Sequence, residues 1–264
     1  MKSPKAQLET ILSDPKLGPE SHPQLFRLLR ENILVFLLPY HPEIMGKFSL
    51  ANGDPLPKFA VWKGAEGPQI PVFSSIERAN EACKKIGVKD GTYALAELNG
   101  QQLFHLLSCQ THMVVINPAC KIAATCLDIN AVKMLADGSI LQPIPPGEEK
   151  SGQVVIVEPA DYPTDFLQPL FRFLRERKEI KAAWLFREAD LTPEGQVSYV
   201  FVLKSEGNQK QVYQDFNIVA KSACPRTATF GTTPWDANNA PLVAVTSKFP
   251  AFYSAPDYKG PSPL

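Results

Sequence analysis

Apolar residues in the first half of the chain form short strand-like runs separated by segments with helical spacing. The run over residues 33–38 is continuous and ends at Pro39, which is typical of a strand covered on both faces. Further apolar runs are bounded by turn residues and predict additional strands. These predicted strands cover residues 58–62, 70–73, 93–98 and 112–116.

The segments between these strands carry helix signals at one or both ends. Gly87 and Gly138 follow the last apolar positions of two such segments and are expected to end helices. Serine and aspartate precede the first apolar positions, where they favour N-caps. The predicted helices and their caps are residues 22–31 (Ser21), 76–86 (Ser74 or Ser75), 103–107, and 129–135 (Asp128).

The second half predicts the order β-α-β-β-α-β, which is that of the ferredoxin-like split unit. Its first helix is expected to begin near Gln168, because Pro169 is tolerated best in a first turn. Residues 227–235 are interpreted as a polar loop. The predicted elements are strands at 154–157, 182–186, 199–203 and 242–245, and helices at 163–178 and 212–223.

The fold class is therefore predicted as α+β, with two mixed sheet-and-helix domains of which the C-terminal one is ferredoxin-like. A length of 264 residues fits two domains. Three prolines interrupt the chain between the halves and favour a linker there. The predicted division is an N-terminal arm over 1–21, a domain over 22–140, a linker over 141–152 and a second domain over 153–264.

Charge and hydropathy exclude several classes of function. The chain carries 27 basic and 27 acidic residues, and this balance argues against binding to nucleic acid, which needs a basic excess. No apolar run approaches the ~20 residues of a membrane helix, so no membrane association is expected. The first residues lack an apolar run of signal-peptide length, and the five cysteines are an odd number. We therefore expect a cytoplasmic protein with free thiols.

The common sequence motifs of catalysis and cofactor binding are absent. The chain contains no Gly-x-Gly-x-x-Gly, no Walker loop, no Gly-x-Ser-x-Gly, no His-Glu-x-x-His and no Cys-x-x-Cys. The nearest approach to a zinc motif is Cys109-x-x-His112 followed by two later cysteines, a spacing too loose for a typical tetrahedral site. We expect no metal and no cofactor. His41, in a loop near Glu43, is interpreted as a solvated histidine rather than a base.

Two cysteines are the candidates for a covalent mechanism. Cys120 follows Asn117-Pro118 at a predicted strand end, and Cys126 precedes the helix capped by Asp128. A reactive thiol needs a nearby cation or a helix N-terminus that lowers its pKa. The simpler interpretation is a half-buried thiol in a turn.

An aromatic group near the C-terminus is a possible interaction surface. Phe249, Phe252 and Tyr253 lie between Pro250 and Pro256 or beside them. Such a segment can pack against its own domain or against a protein partner. We favour the first of these alternatives.

Five segments resemble the SseB family, the enhanced serine sensitivity proteins, which have an N-terminal and a C-terminal SseB domain. The resemblance covers roughly residues 22–254. It implies a cytoplasmic bacterial protein of poorly known activity and supplies no catalytic residue that can be carried over. The segments are ILVFLLPYHPE, IPVFSSIERANEA, VVINPA, QVVIVEPADYPTDFLQPLFRFL and LVAVTSKFPAFYS.

Three functions remain open after these exclusions. The first is a non-catalytic interaction or regulatory protein, which the missing motifs and balanced charge favour. The second is a sensor that binds a small ligand such as an amino acid at the junction of the domains. The third is a thiol-dependent enzyme that uses Cys120 or Cys126. The sequence predicts no oligomeric state.

Overall fold

The chain divides into two compact units in the computed structural model. The first comprises Met1–Leu17 and Gln24–Leu141, and the second comprises Gly18–Pro23 and Gln142–Leu264. His41, residues 143–152 of the predicted linker and residues 154–155 of the predicted strand at 154–157 lie outside the described residues. The structure describes residues 3–15, 17–40, 58–64, 67–122, 124–142, 156–157, 159, 162–188, 197–207 and 209–258.

The first unit is built on a mixed sheet of order β4-β1-β3-β5-β6, with β2 paired to β3. Strands β3 and β5 are parallel neighbours, whereas β1 is antiparallel to both β3 and β4. Strand β6 was not predicted, because three residues are too few to show a period. The strands are β1 (Ile33–Pro39), β2 (Trp62–Gly64), β3 (Gly67–Phe73), β4 (Tyr93–Asn99), β5 (Met113–Ile116) and β6 (Thr125–Leu127).

The helices of the N-terminal half begin and end where local capping chemistry indicates. The Ser75 side chain accepts from the backbone N–H of Arg78, and the Asp128 side chain accepts from that of Ala131, which confirms both predicted N-caps. Gly138 ends its helix with a left-handed φ of 83°. The helices are α1 (Pro4–Leu12), α2 (His22–Glu31), α3 (Ile76–Lys85), α4 (Gly100–Leu107) and α5 (Ile129–Asp137), with short 3-10 turns at Pro19–Ser21 and Ser139–Leu141.

The second unit has a sheet of order β10-β9-β8-β11, with β7 also paired to β8. Helices α6 and α7 cover one face of its central strands, and α8 lies with the C-terminal segment on the other. The α+β class with two sheet-and-helix parts is therefore confirmed. The elements are β7 (Ile156–Val157), α6 (Thr164–Arg175), β8 (Ile180–Glu188), β9 (Val197–Ser205), α7 (Gln209–Ala223), β10 (Ala228–Pro234), α8 (Ala240–Lys248) and β11 (Tyr253–Ser254).

The strand arrangement of the second unit differs from the ferredoxin-like one. Strands β9 and β10 are adjacent and parallel, with α7 as their crossover, and no strand is inserted between them. The predicted strand at 242–245 is wrong, because these residues lie in α8, where the Asn239 side chain accepts from the backbone N–H of Leu242. A four-residue apolar run cannot distinguish a strand from a helix. The final strand of the βαββαβ order is instead β10, in the segment interpreted as a polar loop.

Helix α6 also begins before Gln168, the start that Pro169 predicts. It starts at Thr164 and contains Pro169 in its interior, although proline has no N–H to bond the carbonyl four residues earlier. The helix is held by a buried apolar face that outweighs this local cost. That face consists of Phe166, Leu170, Phe173 and Leu174. None of the helices within the described ranges is long and apolar enough to cross a membrane.

Candidate functional site

Two parallel strands of the first unit end side by side and bring polar residues together. Val72 pairs with Ile116 in the β3–β5 register, so Ser74 and Asn117 follow at the same edge of the sheet. The carboxyl ends of parallel strands are the usual location of ligand sites in open sheets of this kind. We call this cluster the strand-end site and define it as Glu9, Ser74, Arg78, Glu81, Asn117 and Cys120.

Asn117 fixes the geometry of this edge from a fully buried position. Its backbone is left-handed, with φ 52°, a conformation that asparagine tolerates better than most residues. Its Oδ1 accepts from the backbone N–H of Ser74 at 2.9 Å, and its Nδ2 donates to the Ser74 Oγ at 3.0 Å. Its own backbone N–H donates to the carbonyl of Val72 at 2.8 Å. The loop after β5 is thereby locked to the end of β3.

Helix α1 inserts a carboxylate into the strand-end site. The Ser74 hydroxyl donates to one carboxylate oxygen of Glu9. The guanidinium of Arg78 donates to the other oxygen through Nε and Nη2, both at 3.1 Å. Both carboxylate oxygens of Glu9 are therefore held, and the two charged side chains are only 22% and 27% exposed. Charge-assisted bonds of this kind are the stronger class of hydrogen bond.

A second carboxylate completes the environment of Arg78. The Arg78 Nη1 lies 2.9 Å from Glu81 on the next turn of α3, and this bond is the main cause of the raised pKa of Arg78 and of the lowered pKa of Glu81. The other oxygen of Glu81 accepts from the backbone N–H of Lys121 at 3.0 Å. Glu81 thus holds both the guanidinium and the loop after β5.

Cys120 lies in the strand-end site as a protonated thiol. It is buried among apolar residues of the first unit, and its Sγ lies 3.4 Å from the carbonyl oxygen of Arg78 and 3.6 Å from that of Pro118, so its single hydrogen can be donated to either. Burial, with a further contribution from the negative charge of Glu81, raises the pKa of Cys120 to about 11. At neutral pH almost none of it is the thiolate that a nucleophile requires.

The other cysteine and histidine candidates do not converge. Cys126 is exposed in β6, opposite Val115 of β5. Cys109 is exposed just after α4, and His112 is half-buried. Across the described residues, no three His, Cys, Asp or Glu side chains are grouped so that they could hold a metal ion.

The aromatic candidates near the C-terminus pack against their own unit. Phe252 and Tyr253 are buried in its core, and Tyr253 pairs with Ala183 in the sheet. Phe249 is half-buried, with its ring centroid 6.1 Å from that of Phe186. In the structure these three side chains thus contact residues of their own unit.

A serine and a histidine also meet in the second unit. The Nδ1 of His22 lies 2.8 Å from the Ser222 Oγ, and burial lowers the pKa of His22 in spite of the charge of Glu20. The Ser222 hydroxyl also donates to the carbonyl of Ile218 at 2.9 Å. A hydroxyl has one hydrogen, so with that hydrogen on the carbonyl the Nδ1–H of His22 is the donor to Oγ. In this arrangement the imidazole does not activate the serine as a base.

Glu9, Arg78 and the pairing of Ser74 with Asn117 carry no motif that singles them out in the sequence. Glu9 falls in the predicted N-terminal arm, and Ser74 is predicted only as a helix cap. The available signal was the two predicted strands that end at residues 73 and 116. A prediction that they are parallel neighbours would have brought Ser74 and Asn117 to one edge.

The comparison with known protein families concerns the second unit. Residues 149–254 match the model of the SseB protein C-terminal domain. No curated protein and no solved structure matches the chain. The matched residues lie in the second unit, whereas the strand-end site lies in the first.

Proposed function

We propose that this member of the SseB family is a non-catalytic interaction or regulatory protein of the cytoplasm. The observation that carries the proposal is the occupancy of the strand-end site by α1, a helix of the same chain. The site binds this helix through a carboxylate and does not present a reactive group. A surface that already binds a helical segment in cis has the chemistry of a protein-interaction module.

The groups at this site are unsuited to catalysis as they stand. The Ser74 side chain is 1% exposed, so a substrate cannot reach its hydroxyl. The Arg78 guanidinium is engaged by two carboxylates. The Cys120 thiol is buried, and its raised pKa keeps it protonated. These three features favour recognition over bond-breaking chemistry.

A second candidate function is a sensor for a small carboxylate ligand. The observation that favours it is the grip of Ser74 and Arg78 on both oxygens of a carboxylate, a geometry that an amino acid could also satisfy. A native-state ligand must raise thermal stability. Thermal unfolding in millimolar amino acids tests this candidate, and melting temperatures that do not change would remove it.

Affinity capture tests the main proposal. The purified full chain is immobilised beside an Arg78→Gln variant, and proteins from a cell extract are compared quantitatively between the two. We expect a reproducible set of bound proteins that is depleted or enriched at least ~3-fold by the variant. The proposal would be overturned by the absence of reproducible partners together with a purified turnover activity that Cys120→Ser abolishes.

A further inference from the structure

Helix α1 is a short element whose helical state depends on the surface beneath it. It has nine residues, fewer than the ~12–15 that an isolated helix needs to be stable in water. Leu8 and Leu12, one turn apart, are completely buried, and Glu9 follows the first of them. Thr10, on the opposite side, is exposed, and so is Lys5 in the first turn. Leu8, Glu9 and Leu12 serve as three anchors, two apolar and one acidic.

The surface that receives Glu9 is fixed independently of α1. Asn117 holds Ser74 through its side chain, and Glu81 holds Arg78 while accepting from the loop after β5. None of these contacts involves α1. A recognition site of this kind loses little conformational entropy on binding, because its donors are already oriented. We call the surface that α1 covers, which includes Ser74 and Arg78, the α1 seat.

We propose that α1 is a built-in competitor for the α1 seat, and that a partner protein binds there with a short amphipathic helix of the pattern hydrophobic–Glu–x–x–hydrophobic. The inference rests on the proposed interaction function and names its site and partner chemistry. The occupant observed in the structure, Leu8-Glu9-x-x-Leu12, is the template for that pattern.

The two buried leucines favour a helical peptide over a small carboxylate. A free acid would satisfy Ser74 and Arg78 but would not replace the burial of the Leu8 and Leu12 side chains, both of which are completely buried in the protein. A further charge contact of α1, between Lys5 and Glu77, joins side chains that are 59% and 78% exposed. Exposed pairs contribute little. The specificity therefore lies in the three anchors.

Competition in cis makes the seat weakly accessible in the unmodified chain. A tethered segment acts at an effective concentration of order millimolar, so a partner must bind better than α1 or meet a chain in which α1 is detached. Weakening α1 should therefore increase the affinity of the seat for a peptide added in trans. This inverse effect distinguishes a masked binding site from simple structural packing.

The test uses the full chain and a fluorescent peptide of residues 3–13 as the probe. Two variants detach α1 in different ways. The double variant Leu8→Ser and Leu12→Ser removes both apolar anchors, and the single variant Glu9→Lys reverses the charge of the acidic anchor. Fluorescence anisotropy should show that both bind the peptide at least ~10-fold more tightly than the unmodified chain, as the effective-concentration argument requires. If the leucine variant does not fold by circular dichroism, the Glu9→Lys variant carries the test.

Peptide and seat variants together identify the acidic anchor. A peptide with Glu9→Gln should bind a detached chain ~5–10-fold more weakly, whereas a peptide with Lys5→Ala should bind equally well, because the pair it removes is exposed. Adding Arg78→Gln to the detached chain should abolish the difference between the unmodified peptide and the Glu9→Gln peptide. A coupling of this kind is not expected of a residue with a purely structural role.

The results distinguish a failure of the proposed binding site from a failure of the proposed interaction function. No peptide binding by folded, detached chains overturns the inference, even if affinity capture finds partners elsewhere on the protein. Peptide binding without any captured partner retains the α1 seat as an intramolecular device and overturns the proposed interaction function. Detached chains that dimerise with increasing concentration, and are dissociated by the peptide, would show a second copy as the occupant and overturn the partner assignment.

Discussion

The two units differ in what they bury. The second unit encloses a group of aromatic rings between its sheet and helices, with Phe201 at the centre. The first unit buries a polar cluster at the edge of its sheet and covers it with a helix from the start of the chain. The family match falls on the unit whose interior serves cohesion. The groups suited to recognition lie in the unit outside that match, so the match identifies a scaffold more readily than a site.

The acidic side chains that the two units bury also differ in how firmly their helices are held. In the second unit Asp215 is 1% exposed and accepts from Arg177 at 2.8 Å and from Gln211 at 2.9 Å. Asp215 and Gln211 lie in α7, a fifteen-residue helix packed against the sheet. In the first unit the corresponding acid, Glu9, lies on a nine-residue helix with three anchors. An ion pair made by a long, well-packed helix is structural, whereas one made by a short helix with three anchors can be exchanged.

The largest effect is expected from Phe201→Ala, a loss of about 3–5 kcal/mol in the free energy of unfolding. Phe201 is completely buried, and its removal leaves a cavity in the aromatic core. Denaturant unfolding followed by fluorescence in a Trp62→Phe background measures the loss, because the remaining tryptophans, Trp184 and Trp235, report the second unit. The rings in contact with Phe201 are those of Phe166, Phe216, Phe230 and Phe252, with centroids 5.2–6.2 Å away.

Phe201→Leu is the matched control. It removes fewer atoms and should cost less than half as much as the alanine variant. A loss below about 1 kcal/mol for Phe201→Ala would show that the core collapses around the missing ring. The contrast between a rigid aromatic unit and an exchangeable polar site would then fail.

Asn117→Ala is expected to cost about 2–4 kcal/mol. It leaves the buried N–H of Ser74 without its acceptor and forces alanine into a left-handed backbone. Asn117→Gly also loses the side-chain bonds but tolerates the backbone, so it should cost about 1 kcal/mol less. Denaturant unfolding of both variants measures the difference. A cost below about 0.5 kcal/mol in each would contradict the role of Asn117 in fixing the strand-end site.

The sequence was informative where structure is determined locally. The caps at Ser75 and Asp128 and the continuous strand β1 were predicted because a few adjacent residues specify them. Helix α8 was misassigned, because a short apolar run is compatible with either element and tertiary packing decides between them. Strand β10 was misassigned as a loop, because its sequence ATFGTTP is mostly polar and contains no continuous apolar run. The strand-end site was not foreseen. It joins Ser74 to residues 65 and 43 positions away in the chain.

Alkaline pH should destabilise the fold through Cys120. The folded-state pKa of about 11 exceeds the ordinary value near 9, so the unfolded chain loses its thiol proton first as the pH rises. The stabilising contribution is complete below about pH 9 and is lost between about pH 9 and 11. At ~1.4 kcal/mol per pH unit over this range of about two units, the loss is at most about 3 kcal/mol.

Unfolding free energies between about pH 8 and 11 test this dependence. Cys120→Ala should unfold with a shallower alkaline decline than the unmodified chain, whereas Cys109→Ala, at an exposed thiol after α4, should leave the decline unchanged. Identical slopes in Cys120→Ala and the unmodified chain would mean that folding leaves the pKa of this thiol unchanged, which would contradict the raised pKa of Cys120. A decline that is steeper in Cys120→Ala than in the unmodified chain would mean that folding lowers the pKa, and the thiol-dependent enzyme hypothesis would then regain support at the strand-end site.

The smallest effect is expected from Ala119→Gly, and its sign is the informative part. Ala119 has φ 58°, and together with Asn117 it accounts for the non-glycine residues of positive φ within the described ranges, both in the loop after β5. A left-handed alanine costs about 1–2 kcal/mol, while glycine costs about 0.4–1 kcal/mol through the entropy of the unfolded chain. Ala119→Gly should therefore be neutral or stabilising by up to about 1 kcal/mol.

Ala136→Gly, within α5, should instead destabilise by a similar amount. Equal losses in the two variants, measured by denaturant unfolding, would show that the loop stores no backbone strain, and the difference between the units would then rest on the polar contacts alone.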